Sequence, residues 1–492
     1  MARSRTSSAS ELLVDLRRND ALPLHNQLEQ ELRGAIRGGR LQAEAVLPST
    51  RALSEQLGVS RGVVVEAYEQ LVAEGYLSSQ PGGTTRVCAT VAEPPVMPES
   101  RRAMPAYRID FGYGRPDVTQ FPRQVWLRSL RRVLNDAPSE RLSYLDPRGA
   151  PELRDALAAY LNRVRGTVAH ADRMVVCNGF AQALGLVTQI VSANRGTRLA
   201  VEDPGQRDSI RAARRSGLEV VPIPVDDAGI LVDALARADP DAVVLTPAHH
   251  FPTGAVLSAE RRALLVAWAK DRGRLILEDD YDAEYRYDRE PIGALQGLAP
   301  EQVIYAGSAS KTLAPGLRLG WLVVPTSLVD QVAATKEATD RGSASLEQLA
   351  FADFLSRGEF DHHLRRMRPI YRARRDALLV ALRRYLPEVR PVGASAGLHV
   401  MAWLPDDIDE ATLVEGAAEA NVGVDGLTPY RSAGRDGAGG LLFGYGTVTE
   451  AGIEEGIRLI AGLMDRQRSV APGPMAHAQS DVSGVKVGLS TG

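Results

Sequence analysis

The 492-residue sequence predicts an α/β protein: a mostly parallel sheet covered by helices, preceded by a small, largely helical N-terminal module. Three observations carry this. From residue 109 to 467, short apolar runs alternate with helical stretches. Residues 21–88 instead show short helical periods that end in a Gly-rich hairpin signal. Between the two, residues 89–108 (ATVAEPPVMPESRRAMPAYR) hold four prolines and few strand formers, which predicts an extended linker. Residues 1–20 are polar and predict a flexible N-terminus, and residues 468–492 lack a hydrophobic period and predict a disordered tail.

Composition narrows the class. Hydrophobic content of 44% and charged content of 24% are those of an ordinary globular chain able to bury a sizeable core. A net charge of −3 advertises no nucleic acid globally, although a small DNA-reading module can hide in a large neutral chain. Two cysteines, Cys88 and Cys177, exclude both a disulfide framework and a CxxC zinc pattern. The start, MARSRTSSAS, is followed by no apolar stretch, and no run of about 18 apolar residues occurs, so a soluble cytoplasmic protein is expected. Only four lysines (Lys270, Lys311, Lys336, Lys486) stand against 54 arginines, so chemistry that needs a deprotonatable amine has four candidates.

The N-terminal module comes first. In PLHNQLEQELRGAIR, Leu24, Leu28, Leu32 and Ile36 recur every fourth residue on one helical face. Ser49 can cap a helix running through Gln56, Gly58 suits a left-handed stop, and Ser60 can cap a second helix to about Glu74. Val64, Tyr68 and Leu71 form the inner face of that second helix. Two short helices joined by LGVS make a helix-turn-helix, and YLSSQPGGTTRVCA reads as two short β runs around Pro81-Gly82-Gly83, a wing. An arginine at a helix N-terminus can clamp a phosphate or a guanine edge, which singles out Arg51 and Arg61. Residues 1–90 hold ten arginines, no lysine and ten acidic residues, so a single module should bind weakly and two half-sites are needed.

The stretch LPSTRALSEQLGVSRGVVVEAYEQLVAEGYL with its Gly-rich wing resembles the GntR family of bacterial regulators across residues 21–88. The resemblance implies a winged helix-turn-helix in which Arg51, Arg61, Gly62 and Gly82 approach double-stranded DNA. Gly62 and Val65 occupy positions where relatives often carry polar or basic groups.

In the large region the apolar runs are Met174–Cys177, Leu199–Val201, Val243–Leu245, Leu275–Leu277 and Val303–Tyr305, apolar enough for strands buried on both faces. Ligands of such sheets sit beyond the carboxyl ends of the strands, and the chemistry-bearing residues follow those ends. After Val303–Tyr305 comes GSASKTLAPGLRLGW, where Lys311 between small residues can present an amine and Ser308, Ser310 and Arg318 offer hydroxyls and a phosphate fork. After Leu275–Leu277 comes EDDYDAEYRY, with a carboxylate able to hold a pyridine nitrogen protonated and a phenol for a ring hydroxyl. In VVCNGFAQALGLV a strand enters a helix through Asn178-Gly179, and the free N–H groups of a helix start bind phosphate.

These three motifs together resemble fold-type I aminotransferases, which depend on pyridoxal 5′-phosphate (PLP), over about residues 109–465. The resemblance implies Lys311 as the catalytic, Schiff-base lysine, Asp279 at the pyridinium nitrogen and Tyr281 at the ring oxygen. It also implies Ser308, Ser310, Arg318 and the backbone near Gly179 and Phe180 at the phosphate. The sequence is identified as a member of the MocR-type subgroup, in which a GntR module is fused through a linker to this domain. That subgroup implies a homodimer with each DNA module over the partner's large domain.

Three positions depart from working aminotransferases. In TPAHHFPTG, Phe251 stands where an asparagine contacts the ring oxygen; in VEDPGQRD, Gln206 stands where an aromatic stacks on the ring; in GGLLFGYG, Leu442 stands where an arginine clamps the substrate carboxylate. Arg207 and Arg431 are the candidate substitutes for that arginine, as effector-binding residues. His249 and His250 are adjacent and cannot share one side of a strand, so they read as structural or supporting groups and not metal ligands; no metal is expected. His362 and His363, in DHHLRRMR, read as exposed. The expected function is a PLP-dependent transcription regulator that senses either PLP itself, with control of vitamin B6 synthesis, or an amino compound. The alternative is an active aminotransferase carrying a DNA module.

Overall fold

The computed structural model describes residues 16–18, 21–79, 83–88, 107–287, 292–432 and 437–470. Contacts divide the chain into two compact units, residues 1–104 and 105–492.

In the first unit, helices α1 (Leu24–Arg37), α2 (Thr50–Leu57) and α3 (Arg61–Ala73) precede an antiparallel pair, β1 (Leu77–Ser78) and β2 (Arg86–Val87). The hydroxyl of Ser49 accepts from the Ala52 N–H, and Gly58 ends α2 at φ 64°, as expected of a cap and a left-handed stop. Ser60 precedes α3 without a side-chain cap bond, so its expected capping role is not realised. Leu28, Leu32, Ile36, Leu53, Val64, Tyr68, Leu71, Leu77 and Val87 close one small core, and Leu24 is only half-buried. Arg17 and Arg18, assigned to a flexible N-terminus, are tied down: the Arg17 N–H donates to Gln27 Oε1 at 2.8 Å and Arg18 donates to the Gly58 carbonyl at 2.7 Å. The wing tip with Gly82, most of the linker and the tail from residue 471 lie outside the described residues.

The second unit begins with β3 (Ile109–Asp110), α4 (Arg123–Asp136) and α5 (Pro151–Arg165). Then strand and helix alternate: β4 (Met174–Cys177), α6 (Phe180–Ala193), β5 (Arg198–Asp203), α7 (Arg207–Arg215), β6 (Glu219–Asp226), β7 (Gly229–Ile230), α8 (Val232–Ala238), β8 (Ala242–Leu245), α9 (Ala259–Arg272) and β9 (Leu275–Asp280). β10 (Val303–Ser308) and β11 (Gly320–Val323) complete a sheet of order β4-β11-β10-β9-β8-β5-β6-β7. Its centre, β10-β9-β8-β5-β6, is parallel, while β11 runs antiparallel to both β10 and β4, and β7 antiparallel to β6. The five apolar runs of the sequence are β4, β5, β8, β9 and β10. Two of them are not followed by an α-helix: among the described residues only a 3-10 turn (Leu295–Gly297) lies between β9 and β10, and after β10 residues 309–319 fold over the strand ends and lead straight into β11.

Helices α10 (Val329–Asp340), α11 (Ser345–Ser356) and α12 (Glu359–Tyr385) lead to a four-stranded antiparallel sheet of order β12-β13-β16-β15. The elements from there to the end are β12 (Arg390–Val392), β13 (His399–Trp403), α13 (Glu410–Glu419), β14 (Val422–Gly423), β15 (Asp425–Gly426), β16 (Gly440–Gly444) and α14 (Glu450–Val470). β14 pairs in parallel with β3, pinning the start of this unit to its end. Helix α14 passes residue 467, so the regular structure runs three residues into the segment expected to be a disordered tail. His363 corrects another expectation. It lies on the inward stripe of α12 with Phe360, Leu364 and Met367, is only 4% exposed, and its Nε2 faces the Thr312 carbonyl at 2.9 Å. Burial lowers its pKa to about 4. Among the described residues no helix is long and apolar enough to cross a membrane.

Candidate functional site

Strand ends position the site. Register places Asp279 beside Ala306, so the carboxyl ends of β9 and β10 open onto the same crevice, with Ser308 at the end of β10. The chain then crosses the crevice as Ser310-Lys311 and returns through Arg318 into β11, whose Gly320 pairs with Cys177 at the end of β4. That pairing brings the Asn178-Gly179 turn and the start of α6 against Arg318. A pocket of about 560 Å³ is lined by Tyr160, Arg163, Glu284 and Arg368, and the crevice at the strand ends is a separate cavity of about 540 Å³. Tyr113, Phe180, Gln206, Arg207, Phe251, Asp279, Tyr281, Ser308, Ser310, Lys311, Arg318 and Tyr430 all line it.

Lys311 is half-buried, and its Nζ donates to the Gly114 carbonyl at 2.7 Å and lies 5.2 Å from the centre of the Tyr113 ring. Burial lowers its pKa, with the Asp282 and Asp279 carboxylates opposing. Asp279 is 4% exposed and its pKa rises to about 7. Burial is the main cause; the hydrogen bond from Gln206 Nε2 at 2.7 Å pulls it down, and Asp280 and Asp282 push it up. Such a carboxyl gains most from a cationic partner. Tyr281 is buried, with its hydroxyl 3.2 Å from His249 Nδ1, and that nitrogen is 2.9 Å from Asp282 Oδ2. His249 Nε2 faces the Gly393 carbonyl at 3.1 Å, and His399 Nε2 the Pro252 carbonyl at 3.0 Å. The polar atoms of His249, Asp282 and His399 lie within 4.8 Å of one another, so His249 is the hub of a buried polar cluster behind Tyr281. His250 points elsewhere, to Thr253 Oγ1 at 2.7 Å, and burial holds its pKa down to about 3.

At the opposite end, Arg318 donates to the Asn178 carbonyl, and Gly179 caps α6 at φ 82°. A Cβ built on Gly179 would meet the Arg318 guanidinium at 3.1 Å, and one on Gly114 would meet Lys311 Nζ at 2.6 Å. Both glycines let backbone close in on charged groups that a side chain would displace. The donor set fits PLP. An amine softened by burial sits between a carboxyl at one end and, at the other, two hydroxyls, a guanidinium and a helix start.

The structure therefore brings together Lys311, Asp279, Tyr281, Ser308, Ser310, Arg318, Gly179 and Phe180. Of the two candidate effector arginines, Arg207 lines the crevice and Arg431 does not: its guanidinium donates to the Ala438 carbonyl at 2.6 Å in its own loop. Leu442 is fully buried in β16 and packs with Phe251, Tyr281, Met401 and Leu427. Sequence reasoning missed Tyr113, Gly114, Tyr430 and the Gln206–Asp279 bond. In the N-terminal unit, Arg51, Arg61 and Gly62 are exposed at the starts of α2 and α3, and Arg61 Nε reaches Thr50 Oγ1 at 3.3 Å across the turn. Arg51 pairs with Glu55 in an exposed contact of little energetic weight.

Comparison with known proteins agrees with this geometry. Residues 24–87 match the family described as bacterial regulatory proteins, gntR family, and residues 108–423 match aminotransferase class I and II. The probable rhizopine catabolism regulatory protein MocR of Rhizobium meliloti is 32% identical, covering 90% of this chain and 94% of its own. The HTH-type pyridoxine biosynthesis transcriptional regulator PdxR of Corynebacterium glutamicum is 31% identical, covering 90% and 96%. Among solved structures, the kynurenine aminotransferase of Pyrococcus horikoshii superposes with a TM-score of 0.68 at 26% identity, covering 74% of this chain and 92% of that one.

Proposed function

We infer, from the premise that the chain belongs to the MocR-type subgroup of the GntR regulators, that PLP held on Lys311 sets how this DNA-binding regulator engages its operator. One observation supports this above all: the crevice gathers Lys311, the buried Asp279 carboxyl, the Tyr281 phenol, two serine hydroxyls and Arg318, while Leu442, at the position of the arginine that clamps a substrate carboxylate, belongs to an apolar cluster with Phe251, Met401 and Leu427. PLP supplies an aldehyde for covalent attachment to an amine and a ring that draws electrons from that bond. Lys311 would supply the amine, with Asp279 at the ring nitrogen and Tyr281 at the ring oxygen. Ser308, Ser310, Arg318 and the first turn of α6 would hold the phosphate. Without a carboxylate clamp at Leu442, positioning of an amino-acid substrate is poor and transamination weak. Control of vitamin B6 synthesis follows, the role carried in the name of the Corynebacterium relative.

A second reading rests on Arg207, whose exposed guanidinium lines the same crevice and could take the carboxylate of an amino effector. Either ligand alters DNA binding only through unequal affinity for two arrangements of the protein. The protein acts as a homodimer whose two modules meet two half-sites, since each module is net neutral.

The deciding experiment records visible absorption of the PLP-loaded protein and of Lys311→Ala, then titrates amines while following operator binding. A Lys311-dependent band that no amine displaces, with operator affinity changed by PLP, is the expected result. Operator binding indifferent to saturating PLP would refute the cofactor as signal; steady conversion to the pyridoxamine form would mean an active aminotransferase.

A further inference from the structure

We infer that Lys336 is the positioning residue for the phosphate end of the crevice, acting through Asp340 and Gln182 on the Asn178-Gly179 turn. The inference rests on the reading that this crevice takes PLP.

Lys336 lies on α10, outside the crevice lining, and is 0% exposed. A chain with four lysines and 54 arginines has placed one ammonium where no water reaches it. Burying that charge is costly unless its hydrogen bonds are met. They are: Nζ lies 2.9 and 3.1 Å from the two Asp340 carboxylate oxygens, 3.1 Å from Ser343 Oγ and 3.2 Å from Gln182 Oε1.

The acceptors then reach the turn. Asp340 Oδ2 also accepts from Gln182 Nε2 at 2.5 Å and from Asn178 Nδ2 at 3.1 Å. Gln182 Oε1 accepts from the Asn178 N–H at 2.7 Å. Arg318 donates to the Asn178 carbonyl. Asn178 is thus held at its amide, its side chain and its carbonyl at once. The next residue, Gly179, sits at a positive φ and opens α6, whose first N–H groups have no partner within the helix. A phosphate needs those N–H groups aimed and still, and a fully met network in a low-dielectric setting provides stillness. The Lys336–Asp340 charges largely cancel, so the contribution is geometric and not a long-range attraction.

A merely structural brace between α6 and α10 would affect every ligand of the crevice alike. A phosphate-positioning brace affects only ligands that carry a phosphate. The test therefore measures binding of PLP and of pyridoxal, which lacks the phosphate, to the full-length protein by the Lys311-dependent absorption band. Variants are Lys336→Met, Asp340→Asn and Gln182→Met, each checked for folding by circular dichroism. PLP affinity is expected to fall about tenfold or more in Lys336→Met, the size typical of lost supporting contacts, while pyridoxal affinity changes less than twofold. The preference for PLP over pyridoxal collapses accordingly. The other two variants move the same way by smaller factors, and they decide the matter if Lys336→Met does not fold. Equal weakening of both ligands, or no change in either, overturns the inference. A wild-type protein without a Lys311-dependent band would instead overturn the PLP reading beneath it.

Discussion

At Asp279, folding and function pull in opposite directions. Its carboxyl, ordinarily near 3.8, is pushed up to about 7 by burial. The folded chain therefore holds a proton that the unfolded chain has already released between those two values. Stability from this group is complete at pH values below about 4 and is lost as pH rises toward 7. Asp279→Asn removes the ionisation and with it the loss. In cofactor-free protein, this variant should gain on the order of 2 kcal/mol over wild type between pH 5 and pH 8, measured by urea unfolding at both values. A gain that does not change with pH would mean that the carboxyl is not shifted upward in the folded chain. The same variant should bind PLP less tightly, since the ring nitrogen loses its anionic partner. The motifs that hold Asp279, Tyr281 and Lys311 were legible because each follows an apolar run, while the choice of these residues within them rested on the resemblance to aminotransferases. Tyr113, the Gln206 bond and the role of His249 were not. Their partners lie far along the chain: Gln206 and Asp279 are 73 residues apart, and Lys311 meets Gly114 across 197. No local pattern encodes such meetings. His363 was misjudged for a different reason, since charged neighbours in DHHLRRMR masked a helical stripe that Phe360, Leu364 and Met367 already displayed.

At the scale of elements, the two helices α2 and α3 owe their angle to Gly58 and their mutual tie to Arg61. Gly58 stops α2 in the left-handed region, and Arg61 bonds Thr50 at the start of α2 from the start of α3. Arg61 is otherwise exposed, free to meet a phosphate. Arg61→Ala should weaken binding about equally across operator sequences and flatten the dependence of log K on log salt by about one unit, read from binding isotherms at several salt concentrations. A loss confined to one operator base, with the salt slope unchanged, would point to base reading instead. Helices and parallel strands were legible because each carries a local signal: a helical period for α1 and α3, the Ser49 cap and Gly58 stop for α2, continuous apolar runs for β4, β5, β8, β9 and β10. Strand direction was not legible at β11. The loop of residues 309–319 carries Lys311 and Arg318 over the strand ends, and only the pairing of Gly320 with Ser308 and Cys177 reveals that the chain returns antiparallel. The boundary between the large domain and the tail was set at residue 467, three residues short of the end of α14, a common error where a helix ends in polar residues.

The whole molecule joins a net-neutral GntR-type module to an aminotransferase-like domain whose crevice lining fits PLP, and the question at this scale is what joining them achieves. Its two units each close their own core: Leu28, Leu32, Leu53, Val64 and Leu71 in the smaller, and the helix-covered sheet in the larger. Each core is closed by residues of its own unit, and a fusion of this kind is expected to serve regulation. If PLP alters operator affinity, the two binding events share a coupling free energy, and coupling is reciprocal. Whatever factor PLP imposes on operator binding, operator DNA must impose the same factor on PLP binding. Typical couplings of this kind are about 5- to 150-fold. The measurement is a four-cornered cycle: operator affinity with and without PLP, and PLP affinity by absorption with and without operator, all at one salt concentration because DNA affinity depends steeply on it. The two factors are expected to agree within error in wild type. In Lys311→Ala both are expected to fall toward one. A PLP effect on DNA binding without the matching DNA effect on PLP would show that the cofactor acts elsewhere than at an equilibrium between two states of the folded regulator.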